Sequence, residues 1–370
     1  MPRRKEIIRV AKTQRERIRR LYDYVANQIT YENLSFQYSA YIPEAAEDVL
    51  QALYGDCKDK VCLLRSMLKG AGVESYFVLV SPVTDGLSSI LPSARFNHAI
   101  LAIPQDDGLW FVDPTAKGMD ADRLPESLRG ARALVIKPGT NNLSVLPLAD
   151  SREDKTIIKT DISVSGDDAR KLVVKRRECV RSGDKVAELR SRLKDENQEQ
   201  RQTYLATNLG TKIVGLKLLD AEWTGLTPGT DSVTVTYSLE IENALAPSGN
   251  LSIARIPWRS DIDRFFGSLV TSSTRREPLL LYGLQVQESE TVRFTLPEGW
   301  KLVSPPESKE LSCPYGSCTF NYAYADGALQ VTRELSIRGL QVPPDKYRSF
   351  KEFLESVIRE HEAVLVLQQS

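Results

Sequence analysis

Between Gly70 and Gly72 the apolar pattern of this chain changes period, and that change limits the fold more than any other feature. Before it, Val61, Leu64 and Leu68, flanked by Leu63 and Met67, recur at helical spacing. After it, residues 73–80, 96–103 and 109–112 are continuous apolar runs that read as strands. A helix with such a stripe must bury it, and the strands supply the surface, so the first part of the chain is expected to be α+β, a helix packed on an antiparallel sheet. Pro104-Gln105-Asp106-Asp107-Gly108 joins the last two strands as a hairpin.

The helix should begin at Cys57, within Gly55-Asp56-Cys57-Lys58-Asp59-Lys60. A further helix is expected over 12–28, an irregular segment over 31–42, and a helix entry at Pro43 with Glu44, Glu47 and Asp48 suited to its dipole. A thiol at a helix N-terminus feels unpaired N–H groups that favour thiolate; Lys58 and Lys60 add to this, while Asp56 and Asp59 oppose it. Downstream, Phe96-Asn97-His98-Ala99-Ile100 and Trp110-Phe111-Val112-Asp113-Pro114-Thr115 place a histidine and an aspartate on strands. Cysteine, histidine and aspartate then stand in nucleophile, base and orienter order, since a thiol needs an imidazole to take its proton and a carboxylate fixes that imidazole's tautomer. If Ile103 pairs with Gly108, His98 lies directly opposite Asp113. Asn97 is the other orienter that chain order allows, but adjacent strand residues face opposite sides. The competing reading for Cys57 is a small core residue, for His98 a structural histidine, for Asp113 a turn-forming Asp-Pro. Cys62 reads as packing, and the only other histidine, His361, as a surface residue among Arg359, Glu360 and Glu362.

The 370 residues suggest two or three domains. Lys plus Arg and Asp plus Glu are 49 each, so no overall basic field holds a polyanion, and nucleic acid is not an expected partner. The basic cluster from Arg3 to Arg20 alternates with Ile7, Ile8, Val10, Ile18, Leu21 and Val25, as the solvated face of helices does. No apolar run is long enough to span a membrane and no signal-peptide core is present. Cys57, Cys62, Cys179, Cys313 and Cys318 do not form a disulfide framework, although Cys313 and Cys318 flank a loop that a bond would close. The spacing of Cys57/Cys62 and Cys313/Cys318 invites a zinc reading that two histidines cannot sustain, and no phosphate-binding, zinc-protease or calcium-loop motif occurs, so no cofactor or metal is expected. From about Ser151 the chain is β-rich: strands are expected over 157–164, 171–180, 212–220, 232–242 and 251–256, with one helix over 184–208. After a break at Pro257-Trp258, strands over 279–287, 291–296, 318–324 and 328–337 resemble a β-sandwich, followed by a helix over 345–359 and an apolar run over 363–367. The expected domains are 1–150, 151–260 and 261–370, with 151–370 as one unit the alternative.

Tyr31, the phrase Tyr54-Gly55-Asp56-Cys57-Lys58-Asp59-Lys60, the Phe96-Asn97-His98 strand, Asp113-Pro114-Thr115 and Leu124-Pro125 together make residues 12–150 resemble the transglutaminase-like superfamily of papain-like cysteine enzymes. The resemblance is to its bacterial multidomain branch, with β-sandwich domains around the core. It implies a triad of Cys57 as nucleophile, His98 as general base and acid, and Asp113 as orienter. The Cys57 N–H is the expected first oxyanion donor; the resemblance assigns no second donor, for which Tyr54 and Gln37 are candidates. The implied activity is acyl transfer through a thioester on a peptide or protein substrate, hydrolysis being preferred; protein crosslinking, or an idle core serving a binding or scaffold protein of the cell envelope, are the alternatives. That branch normally carries a leader and a further β-domain ahead of the core. A periplasmic or extracytoplasmic location follows from the resemblance, and a cytoplasmic one if the chain is complete as given.

Overall fold

The computed structural model describes residues 2–32, 42–81, 96–139, 143–147, 155–165, 170–181, 183–210, 213–227, 230, 232–259, 266–267, 269–281, 286–339 and 341–369. The chain divides into two compact units, Met1–Asp150 with Gly183–Ser191, and Ser151–Ser182 with Arg192–Ser370. Among the described residues no helix is long and apolar enough to cross a membrane.

The first unit runs α1 (Pro2–Ile8), α2 (Gln14–Gln28), β1 (Thr30–Tyr31), α3 (Ala46–Ala52), β2 (Tyr54–Gly55), α4 (Cys57–Gly70), β3 (Tyr76–Ser81), β4 (His98–Gln105), β5 (Gly108–Val112), β6 (Arg132–Ile136) and β7 (Ser144–Val145). Helix α2 starts on a capping box in which Thr13 accepts from Glu16 N and Glu16 reaches back to Thr13 N. Helix α4 ends where Gly72 takes a left-handed φ of 76°. Strands β3 to β7 form one antiparallel sheet in the order β5-β4-β3-β6-β7. Strand alternation splits its residues between two cores. Ala99, Leu101, Ile103 and Val112 pack against Ile18, Leu21 and Val25 of α2 and Val61, Leu64 and Leu68 of α4. Val78, Val80, Ile100 and Ala102 pack on the other side with Leu124 and Leu128. Each such fully buried side chain contributes about 1.5–3 kcal/mol, which is what holds the cysteine helix to the sheet.

The hairpin register differs from expectation. Gln105 pairs with Gly108 and Leu101 with Val112, so the turn consists of Asp106-Asp107 alone, not the four residues between Ile103 and Gly108. On this register Asp113 falls beyond the ladder, level with Ile100, and His98 is its diagonal rather than direct neighbour. The offset is two residues, which preserves the face.

The second unit contains β8 (Lys155–Ser165) and β9 (Lys171–Arg181); α5 (Gly183–Leu193) spans the division between units, and α6 (Gln198–Gly210) follows it. Then come β10 (Leu216–Thr224), β11 (Ser232–Ile241), β12 (Leu245–Ser248), β13 (Leu251–Arg255), β14 (Leu279–Leu280), β15 (Val286–Thr295), β16 (Trp300–Leu302), β17 (Lys309–Cys313), β18 (Gly316–Ala325), β19 (Ala328–Ile337), β20 (Gln341–Val342), α7 (Tyr347–His361) and β21 (Val364–Gln369). An eight-stranded sheet, β10-β11-β9-β8-β15-β19-β18-β17, takes strands from both sides of residue 260; its one parallel pair is β8 with β15. A four-stranded sheet has the order β12-β13-β21-β16. The helix expected over 184–208 is two helices, because Asn197 and Gln200 each donate a backbone N–H to the other's side-chain oxygen at 2.9 Å, a reciprocal box that starts α6 afresh.

His361, expected at the surface, is 9% exposed and stacks on Trp258 at 5.4 Å between centroids. Burial, with Arg333 nearby, holds its pKa well below the usual histidine value. Cys313 and Cys318 are free thiols: the β17–β18 register sets Leu311, not Cys313, opposite Cys318. Deep in this unit Arg333 bonds Glu288 and, at 3.2 Å, Glu290, whose carboxylate also accepts from Arg259 N at 3.1 Å and lies 3.8 Å from Arg176. Such a network survives burial because its charges are shared among several partners.

Candidate active site

Cys57 is the first residue of α4, and the phrase around it is a device for starting that helix. Asp56 is the N-cap, its Oδ1 accepting from Lys58 N at 3.0 Å and Asp59 N at 3.2 Å. Asp59 completes the box by accepting from Asp56 N at 3.0 Å, and its other oxygen accepts from Glu44 N at 2.9 Å, tying in the segment before α3. A Cβ on Gly55 would stand 2.8 Å from Asp59 Cβ, so only glycine lets β2 pass this close to the first turn.

The two lysines do not act as expected. Lys58 Nζ is engaged by Asp56, with Asp59 3.8 Å away. Lys60, 1% exposed, points the other way and donates to Ile29 O at 2.7 Å and Ala26 O at 3.3 Å, capping the C-terminal end of α2. Burial pushes its pKa down to about 8, against the pull of Asp113 and with the push of Lys117.

His98 opens β4 opposite Val80, and Asp113 follows β5 immediately before Pro114, which ends the strand. The structure brings them together: His98 Nε2 donates to Asp113 Oδ2 at 3.0 Å. Asp113 is 2% exposed, and its Oδ1 accepts from Thr115 N at 2.9 Å and Thr115 Oγ1 at 2.7 Å. Asn97 is exposed. The Cys57 thiol acts on the same imidazole and helps to raise its pKa. With Nε2 turned to Asp113, Nδ1 is the nitrogen left for sulfur. Burial works to lower the His98 pKa, but the Asp113 charge and hydrogen bond, together with Cys57, push it up to about 10. Burial works to raise Asp113, and His98 and Thr115 bring it below the usual carboxylate value.

Cys62 is partly buried on the same helix, and burial raises its pKa. Tyr54 is 43% exposed, and Gln37 lies outside the described residues. Among the described residues no group of His, Cys, Asp or Glu is arranged to hold a metal ion.

Three contributions were not assigned from the sequence: Thr115 as a partner of Asp113, Lys60 as a strut to α2, and the placement of Tyr31, already part of the motif set, in the field of Cys57, Asp56 and Asp113. The first had a signal, since an aspartate followed two residues later by threonine makes an Asx-type turn. The second had none, because its acceptors are backbone carbonyls.

Residues 3–112 match the transglutaminase-like superfamily, and residues 261–367 match a family described as a domain of unknown function with a solved structure (DUF3858). No protein with a curated description matches the chain. A crystal structure of a candidate protease from Parabacteroides distasonis aligns with 99% of this chain at a TM-score of 0.58 and 13% identity, a likeness of fold; this chain spans 54% of that one. An M1 zinc metallopeptidase from Deinococcus radiodurans matches 58% of this chain and 41% of its own at 11% identity, with a TM-score of 0.21 that carries no weight. With a capped cysteine helix packed on an antiparallel sheet and the family match over residues 3–112, the first unit of this chain carries a transglutaminase-like core.

Proposed function

We propose that the first unit is a cysteine-dependent acyl-transfer enzyme acting on peptide or carboxamide bonds, most simply as a peptidase or amidase. The observation that carries this reading is the buried His98–Asp113 hydrogen bond of 3.0 Å with the Cys57 thiol beside the same ring. In the reaction, Cys57 sulfur adds to the substrate carbonyl, His98 passes a proton to the leaving amine as the C–N bond breaks, and a thioester remains on Cys57. Water activated by His98 then hydrolyses the thioester and frees the thiol. Asp113 keeps the imidazole turned with Nδ1 toward sulfur throughout.

The test is alkylation by iodoacetamide across pH, comparing wild type with His98→Ala. Cys57 should react well above the rate of a free thiol at neutral pH, and the variant should lose that excess. Equal rates in the two proteins would defeat the catalytic reading.

A further inference from the structure

We propose that Tyr31 is a catalytic residue, its hydroxyl the second donor of the oxyanion hole beside the Cys57 N–H. This rests on the acyl-transfer reading above and deepens it.

The geometry comes from the short parallel ladder ahead of the cysteine. Tyr31 of β1 pairs with Gly55 of β2, two residues before Cys57. Thr30 N donates to Leu53 O at 2.8 Å and Glu32 N to Gly55 O at 3.1 Å, so Tyr31 is held by hydrogen bonds on both sides. Paired residues of a parallel ladder project to the same face, and neighbours along a strand to opposite faces. The Cβ that Gly55 lacks would point at Asp59, in the first turn of α4. Tyr31 therefore shares the face that looks toward the start of the cysteine helix, and Tyr54 takes the other. This removes Tyr54 as the second donor and puts Tyr31 in its place.

A two-residue strand would normally be too loose to aim a catalytic group. Here Lys60 Nζ, carried by the cysteine helix itself, grips Ile29 O at 2.7 Å, one residue before β1 begins. The capping box fixes the other strand, because Asp56 follows Gly55 directly. Both strands of the ladder are thus anchored to the same helical turn that carries the nucleophile.

The Tyr31 hydroxyl has no hydrogen-bond partner among the described residues, and the residue is 46% exposed. Burial, then Cys57, Asp56 and Asp113, raise its pKa, so it stays protonated and able to donate. On the helix side, Asp56 takes the N–H groups of Lys58 and Asp59 and leaves that of Cys57 without a partner among the described residues. Cys57 N–H and Tyr31 O–H are thus both donors without a partner among the described residues.

When sulfur adds to the carbonyl carbon, a C–S bond forms and the carbonyl π pair moves onto oxygen. That oxyanion accepts from Cys57 N–H and Tyr31 O–H without taking a proton from either. Collapse returns the pair, breaks the bond to the leaving group, and His98 supplies the leaving group's proton.

The experiment compares two reactions of Cys57 in the full chain. p-Nitrophenyl acetate acylates sulfur through an oxyanion, giving a burst of p-nitrophenolate; iodoacetamide alkylates it by displacement, with no oxyanion. Tyr31→Phe should slow the acylation burst by about 10²-fold, the loss seen for one missing oxyanion donor, and leave alkylation within twofold of wild type. Tyr54→Phe should change neither. A Tyr31→Phe protein that acylates as wild type does, or that loses both reactions in proportion, overturns the assignment. Failure of the acyl-transfer reading reads out separately, as a wild-type thiol that gives no burst and alkylates no faster in the presence of His98 than in its absence; that result removes the role of Tyr31 as well.

Discussion

Thr115 gives the buried Asp113 two of its three hydrogen bonds, and so decides which way the carboxylate faces. Thr115→Val removes the 2.7 Å hydroxyl bond to a charged acceptor and should cost about 1.5–3 kcal/mol of stability, measured by urea unfolding. The His98–Asp113 pair also fixes a pH window. His98 is raised from 6.5 to about 10, so its contribution to stability is complete below 6.5 and is lost as pH rises through about 10. Asp113 is lowered from 3.8, so its contribution is present above 3.8 and lost as pH falls through its folded value. Wild-type acyl transfer should keep a protonated His98 well into the alkaline range, with the falling limb of kcat/KM near 10. In Asp113→Asn that limb should move toward 6.5; a limb that stays where it was would mean that Asp113 does not set the proton affinity of the ring.

At the scale of the element, the start of α4 shows which kind of information a sequence displays. Capping, dipole and period are local, and Gly55 to Lys60 announced a helix start with Cys57 at its head. Gly55→Ala forces a contact of 2.8 Å with Asp59 Cβ and should destabilise by about 1–3 kcal/mol, with slower alkylation of Cys57 as the second readout. Lys60→Met leaves Ala26 and Ile29 carbonyls buried without their donor and should cost about 1–3 kcal/mol; Lys60→Arg should recover part of it. The role of Lys60 was illegible because its acceptors are backbone atoms at the end of another helix, and no residue type marks a carbonyl that needs a cap. The hairpin was legible in existence but not in register, since Pro104 to Gly108 can house a turn of two residues or of four. The parity that unites His98 with Asp113 survived because both registers share it. His361 misled for a related reason: its neighbours Arg359 and Glu362 are exposed, whereas the histidine occupies the inner stripe of α7 against a tryptophan distant in sequence.

At the scale of the whole molecule, the second unit stakes its stability on charges placed where water cannot reach. Arg333→Met removes the guanidinium that Glu288 and Glu290 share in the core and should lower the unfolding free energy by about 3–5 kcal/mol in urea titration. A change of less than about 1 kcal/mol would mean that the carboxylates take up protons at little cost. The β8–β15 pairing has a consequence of another kind, in time rather than energy. Thr156 of β8 must find Glu288 of β15, and a ribosome adding 5–20 residues per second needs on the order of 10 s to travel from one to the other. Through that interval β8 can close its hairpin with β9, but its outer edge waits bare, a ready template for any passing strand. The central seam of the large sheet is thus sewn only after the β8–β9, β9–β11 and β10–β11 seams have had time to form, and crowding of nascent chains is the condition under which this edge is most exposed to misassembly.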